Sequence, residues 1–230
     1  MNNRNSYILE LFRECNKDEN FEQYSAEVDV GFQEYGDTLL ILFEPSDGAM
    51  DWRHNFTFFK KPYNDMEEPY YVHGGFLKCW RIVKNVVIAK LHSRNWKQVV
   101  ITGYSHGGAL ALLAHECVWF ELPHLRNGRI LTIAFEAPRI YGGFKVNEEI
   151  EGRWNGAYVI RNNQDLVTHM PPRVFGFCDV GEIIKIINTP KKGVIDSHKP
   201  KWVEKALLSK INRNSLAIIE ERLKAAGLWS

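Results

Sequence analysis

Residues 98–114 read QVVITGYSHGGALALLA, and Ser105 at their centre decides how the chain is built. The first part is an apolar, β-branched run of strand length. The second is a run of small residues followed by a helix-forming pattern over 107–122. Gly103 and Gly107 each lie two residues from the serine. The spacing G-x-S-x-G suits a sharp strand-to-helix bend. In such a bend the residues two before and two after the serine meet, and a Cβ there would clash. The bend lifts the serine Oγ out of the backbone, and the helix that follows points its first N–H groups at any negative charge formed nearby. The competing reading is a glycine-rich turn carrying an idle serine.

Working outward, the stretch 75–92 puts Phe76, Leu77, Trp80, Val83, Val87, Ile88 and Leu91 on one helical stripe. RILTIAFEAPR (129–139), GAYVIRNNQD (156–165) and GEIIKIIN (181–188) read as strands, and NEEIEGRW (147–154) as a short helix. Upstream, 27–44 reads as two strands around Gly36-Asp37, after a helix near Tyr7–Cys15. PKWVEKALL and SLAIIEERLKAAGLW close the chain as amphipathic helices. Alternation from 75 to 165 predicts an α/β fold, a mostly parallel central sheet with helices on both faces. Residues 46–70 have turn residues and aromatics without a clean period, and read as a long surface segment. The overlapping stretch 47–71 is expected to form a lid, an acyl-binding wall or a plain loop.

At 230 residues the chain fits a single domain, 1–230. A net charge of +1 offers no broad face for a polyanion, so nucleic acid is not the expected partner. The four cysteines, at 15, 79, 117 and 178, form no CxxC pair, and zinc-ribbon and thioredoxin-type chemistry are set aside. They read as free, mostly buried thiols. The first twenty residues carry no apolar core of signal-peptide length, and the expected location is cytoplasmic.

A serine hydroxyl needs a base, and the base needs an orienting carboxylate. His106, His115 and His124 lie within or soon after the elbow, which leaves His169 and His198. His106 offers its backbone N–H more usefully than its ring. Asp165 follows a strand in a polar loop, where a carboxylate projects at the carboxyl end of a sheet. Asp179 and Asp196 are weaker candidates. His169 is only four residues from Asp165 and is held by Pro171-Pro172, whereas His198 sits on a separate loop before a proline-started helix.

Six segments in order resemble the fungal-type, class 3 lipases, which are α/β-hydrolases. ILFEPSDGAMDWRHNF is similar to their oxyanion stretch through Phe43, Ser46, Asp51, Trp52 and Asn55. VHGGFLKCW, VVITGYSHGGALALLA, IAFEAPRIYG, NNQDLVTHMPP and SHKPKW carry the rest, over roughly residues 38–205. The resemblance implies an α/β-hydrolase fold with Ser105 as nucleophile, Asp165 as orienting acid and His198 as base. It also implies an oxyanion hole from Ser46 and the His106 N–H. No metal or cofactor is implied. The implied activity is hydrolysis of acyl esters, with lipids as the expected substrate and a transient contact with a lipid interface. An esterase, thioesterase or acyltransferase on small soluble esters uses the same triad, and a non-catalytic binding protein of this fold is the other alternative. The chain departs from the family at Glu44-Pro45, where Arg-Gly is usual, at His106, and at Glu136, where the family has glycine.

Overall fold

The computed structural model describes residues 6–25, 28–45, 59–63, 70–143, 152–188, 193 and 196–229. Eleven strands are described: β1 (Glu22–Ser25), β2 (Val28–Tyr35), β3 (Thr38–Phe43), β4 (Lys60–Tyr63), β5 (Tyr70–His73), β6 (Gln98–Tyr104), β7 (Ile130–Phe135), β8 (Tyr141–Gly142), β9 (Ala157–Asn162), β10 (Phe177–Cys178) and β11 (Glu182–Ile186). Five α-helices accompany them: α1 (Tyr7–Glu14), α2 (Gly74–Leu91), α3 (His106–Glu121), α4 (Pro200–Leu208) and α5 (Arg213–Ala225).

The main sheet runs β1-β2-β3-β6-β7-β9-β11. From β3 to β11 every neighbour is parallel, and β1 and β2 add an antiparallel edge. Each central strand is buried on both faces, which is why it reads as a continuous apolar run. Side chains still alternate. Leu39, Ile41 and Phe43 join Val99 and Ile101 under α2 and α3. Leu40 and Leu42 join Val100, Leu131 and Ile133 under α1, α4 and α5. Each fully buried Leu or Ile contributes about 1.5–3 kcal/mol, so the two helical layers are fixed by this alternation. This is the α/β-hydrolase architecture.

The stripe expected on 75–92 is the buried face of α2, with Ile88 half-buried at its edge. The reading of 46–70 as a surface segment needs correction at 60–63 and 70. There β4 and β5 pair in a second small sheet, order β10-β8-β5-β4, and Tyr63 and Tyr70 are buried. Strands this short show no period-2 signal. Of the expected lid, 47–58 and 64–69 lie outside the described residues, as does most of the helix expected at 147–154. Among the described residues, no helix is long and apolar enough to cross a membrane.

Candidate active site

Strand β6 ends at Tyr104 and α3 begins at His106, so Ser105 is the whole connection. Its backbone sits at φ 55°, ψ −111°, a conformation L-residues avoid. The bend is held by the Ser105 N–H donating to the Phe135 carbonyl (2.8 Å) and the Ala109 N–H donating to the Ser105 carbonyl (3.1 Å). A Cβ at Gly103 would stand 2.3 Å from the Gly107 carbonyl group, and one at Gly107 only 2.2 Å from the Phe43 oxygen. Both glycines are required by close backbone approach, as the spacing predicts.

Ser105 Oγ lies 2.8 Å from Nε2 of His198, and His198 Nδ1 lies 2.5 Å from Oδ2 of Asp165. The carboxylate fixes the tautomer. Nδ1–H donates to Asp165, and Nε2 is left to accept the serine proton. Asp165 Oδ1 accepts from the Val167 N–H at 2.9 Å, which aims the other oxygen at the ring. Asp165 is fully buried, and Ser105 and His198 are 5% and 6% exposed. The three residues are supplied by the β6–α3 elbow, the loop after β9 and a short 3-10 turn (Asp196–His198) before α4.

This row of hydroxyl, imidazole and carboxylate stands at the carboxyl end of the parallel strands, and the family description "Lipase (class 3)" matches residues 40–175 around it. The chain belongs to the class 3 lipase family. It is 29% identical over 154 residues to the lipase of Rhizomucor miehei, covering 63% of this chain and 40% of that protein. It is 32% identical over 114 residues to the lipase of Rhizopus niveus, covering 48% and 29%. The chain thus spans less than half the length of either relative. The structure of the Rhizomucor miehei lipase propeptide complex superposes with TM-score 0.62 at 22% identity, over 84% of this chain and 70% of that one.

In this member of the family the histidine is held by more than its two partners. The Tyr104 hydroxyl donates to the His198 carbonyl, and the two rings stack with centroids 5.3 Å apart. Asn162 Nδ2 donates to the Ser197 carbonyl at 3.2 Å. The motif stretches include both residues but assign neither a role. The available signal is Tyr104's place directly before the serine, at the tip of β6.

Glu136 follows β7 with φ 50° and is fully buried. Both its oxygens accept from the Asn162 N–H, at 2.9 and 3.1 Å. Burial, reinforced by the neighbouring Asp165 charge and a hydrogen bond with it, pushes its carboxyl well above the usual range. Atoms of Glu136, Asp165 and His198 lie within 4.8 Å of one another, the one such cluster of three among the described residues.

The remaining candidates fall elsewhere. His169 is an exposed residue whose carbonyl accepts from Arg139. His115 is buried against Thr132 Oγ1 (2.8 Å) and the Arg153 carbonyl (2.9 Å). Asp179 is gathered by Arg139, Arg161 and Arg173 at 2.9, 2.8 and 2.6 Å. Burial opposes its charge, but the three guanidinium groups win and bring it to about 2. Asp196 pairs with Lys199 at 2.7 Å. His106 opens α3 with its ring 5.5 Å from that of Phe76. Ser46, the other expected oxyanion donor, lies outside the described residues. All four cysteines are free thiols.

Proposed function

We propose that the chain is a serine carboxylic-ester hydrolase that cleaves acyl esters, lipid esters among them, through an acyl-enzyme. The observation that carries this reading is the continuous row Ser105–His198–Asp165, with contacts of 2.8 and 2.5 Å. As Ser105 Oγ attacks the ester carbonyl, its proton passes to His198 Nε2, and Asp165 stabilises the imidazolium. The carbonyl π pair moves to oxygen. The His106 N–H at the start of α3 faces that developing charge with the helix dipole behind it, and Ser46 supplies the second donor by the family resemblance. A donor of this kind is worth about 3–4 kcal/mol in the transition state. When the tetrahedral intermediate collapses, the alkoxide leaves with the proton from His198. Water then repeats the cycle on the acyl-enzyme and releases the acid.

Lipid as substrate is supported by the family membership and by exposed apolar side chains in the segment after Asp165. Leu166, Val174 and Phe175 follow Asp165 in the chain and are 53%, 85% and 50% exposed. Exposed apolar side chains of this kind suit contact with a lipid surface. The test is an ester series of increasing acyl length, offered as soluble monomers and as emulsions. Preference for long chains with a rate jump at the solubility limit supports a lipase. Smooth saturation with short esters alone assigns the same row to a soluble esterase. Ser105→Ala, with its circular dichroism unchanged, is expected to abolish turnover, and retained turnover rejects the mechanism.

A further inference from the structure

The row just described has a second carboxyl beside it that the mechanism does not use. Glu136 occupies a left-handed backbone position that favours glycine, and it is fully buried. Backbone strain and a buried acid at one position are two costs that packing alone does not offset. The side chain is also tied to the site. It takes the Asn162 N–H on both oxygens, and Asn162 is three residues before Asp165 and donates to the carbonyl next to His198.

The charges around it fix its state. Facing the carboxyl are Asp165 and His198 from the two loops, Tyr104 from β6 and Arg161 from β9. Arg161 is engaged by Asp179. Two carboxylates this close, without a cation of their own, cannot both ionise. Asp165 receives the Val167 N–H and the His198 Nδ1–H, whereas Glu136 receives a single N–H. The proton therefore sits on Glu136, whose O–H faces Asp165.

We propose that Glu136 is a positioning acid for the Ser105–His198 pair: protonated, it orients Asp165, and when Asp165 loses its charge it ionises and takes over as the carboxylate partner of His198. The second half follows from the first. With an amide at 165 the like-charge repulsion disappears, and Glu136 already stands within 4.8 Å of both groups. A neutral Glu136 also leaves one negative charge next to the imidazole instead of two.

This inference rests on the hydrolase reading, and one readout is independent of it. In wild-type minus Glu136→Gln infrared difference spectra, a protonated-carboxyl stretch is expected; its absence overturns the proposal even if no ester is ever cleaved. The kinetic readout uses p-nitrophenyl butyrate with Glu136→Gln, Asp165→Asn and the double variant. Glu136→Gln, which keeps a donor, is expected to lower kcat about 3-fold with the acid limb of kcat/KM moved by less than about 0.2 pH unit. Asp165→Asn is expected to lose about 100-fold, far short of the roughly 10⁴-fold for an acid acting alone. Adding Glu136→Gln to it should cost about 30-fold or more again. Equal activity of the single and double Asp165 variants overturns the proposal, as does an acid limb that falls by half a unit or more in Glu136→Gln. If the glutamine variant does not fold, glycine at 136, which suits the left-handed backbone, replaces it in the double variant with the same expected loss.

Discussion

Tyr104 holds His198 by two contacts, its hydroxyl on the His198 carbonyl and its ring stacked on the imidazole at 5.3 Å. The residue before Ser105 thus anchors the loop that carries His198. Tyr104→Phe keeps the stack and removes the hydrogen bond, worth about 1 kcal/mol. A fall of about 5-fold in kcat with KM unchanged is expected in steady-state kinetics, and an unaltered kcat shows that the loop is held without it.

The elbow glycines are a structural requirement. A Cβ at Gly107 would stand 2.2 Å from the Phe43 oxygen, and backbone there cannot yield as a side chain can. Gly107→Ala is expected to cost about 3 kcal/mol or more of stability. Urea unfolding checks this, and a loss under about 1 kcal/mol would show that the elbow relaxes freely.

Ser105 and Glu136 differ sharply in how far the sequence alone reveals them. The elbow was readable because strand, serine and helix are contiguous and the glycine spacing follows from sterics. The parallel strands were readable because burial on both faces makes them uniformly apolar. Asp165 and His198 could be narrowed from loop position and chain order, and the family resemblance then chose between histidines. Tyr104, Asn162 and Glu136 act through contacts across 26 to 94 residues of chain, and no local pattern records such contacts. The small second sheet escaped for another reason: two-residue strands such as Tyr141–Gly142 carry no periodicity.

Acid should loosen the fold through its buried histidines. Burial holds His115 and His73 neutral down to about 4. Unfolded histidine takes up a proton near 6.5. The folded value is the lower one, so stability is full above about pH 6.5 and is lost as pH falls toward 4. His115, the more enclosed, contributes on the order of 2–3 kcal/mol of that loss. In urea titrations at pH 7.5, 6 and 5, His115→Asn is expected to be less stable at pH 7.5 yet to lose less on acidification. An identical pH slope in both proteins would contradict it.

The exposed apolar residues after Asp165 separate a lipid surface from a soluble ester. Val174→Asp combined with Phe175→Asp should lower hydrolysis of emulsified triglyceride by about 10-fold, because charge in an apolar contact is costly. Hydrolysis of p-nitrophenyl acetate should change by less than about 2-fold, since neither side chain belongs to the reacting row. Equal losses on both substrates would assign these residues to folding.

The central claim is that Ser105 is a nucleophile raised by His198 and Asp165. A fluorophosphonate probe added to the folded protein, followed by intact-mass and peptide analysis, tests it most directly. One adduct per chain on Ser105, absent in Ser105→Ala and strongly slowed in His198→Ala, is the expected result. A folded protein that carries no adduct on Ser105 would contradict the account.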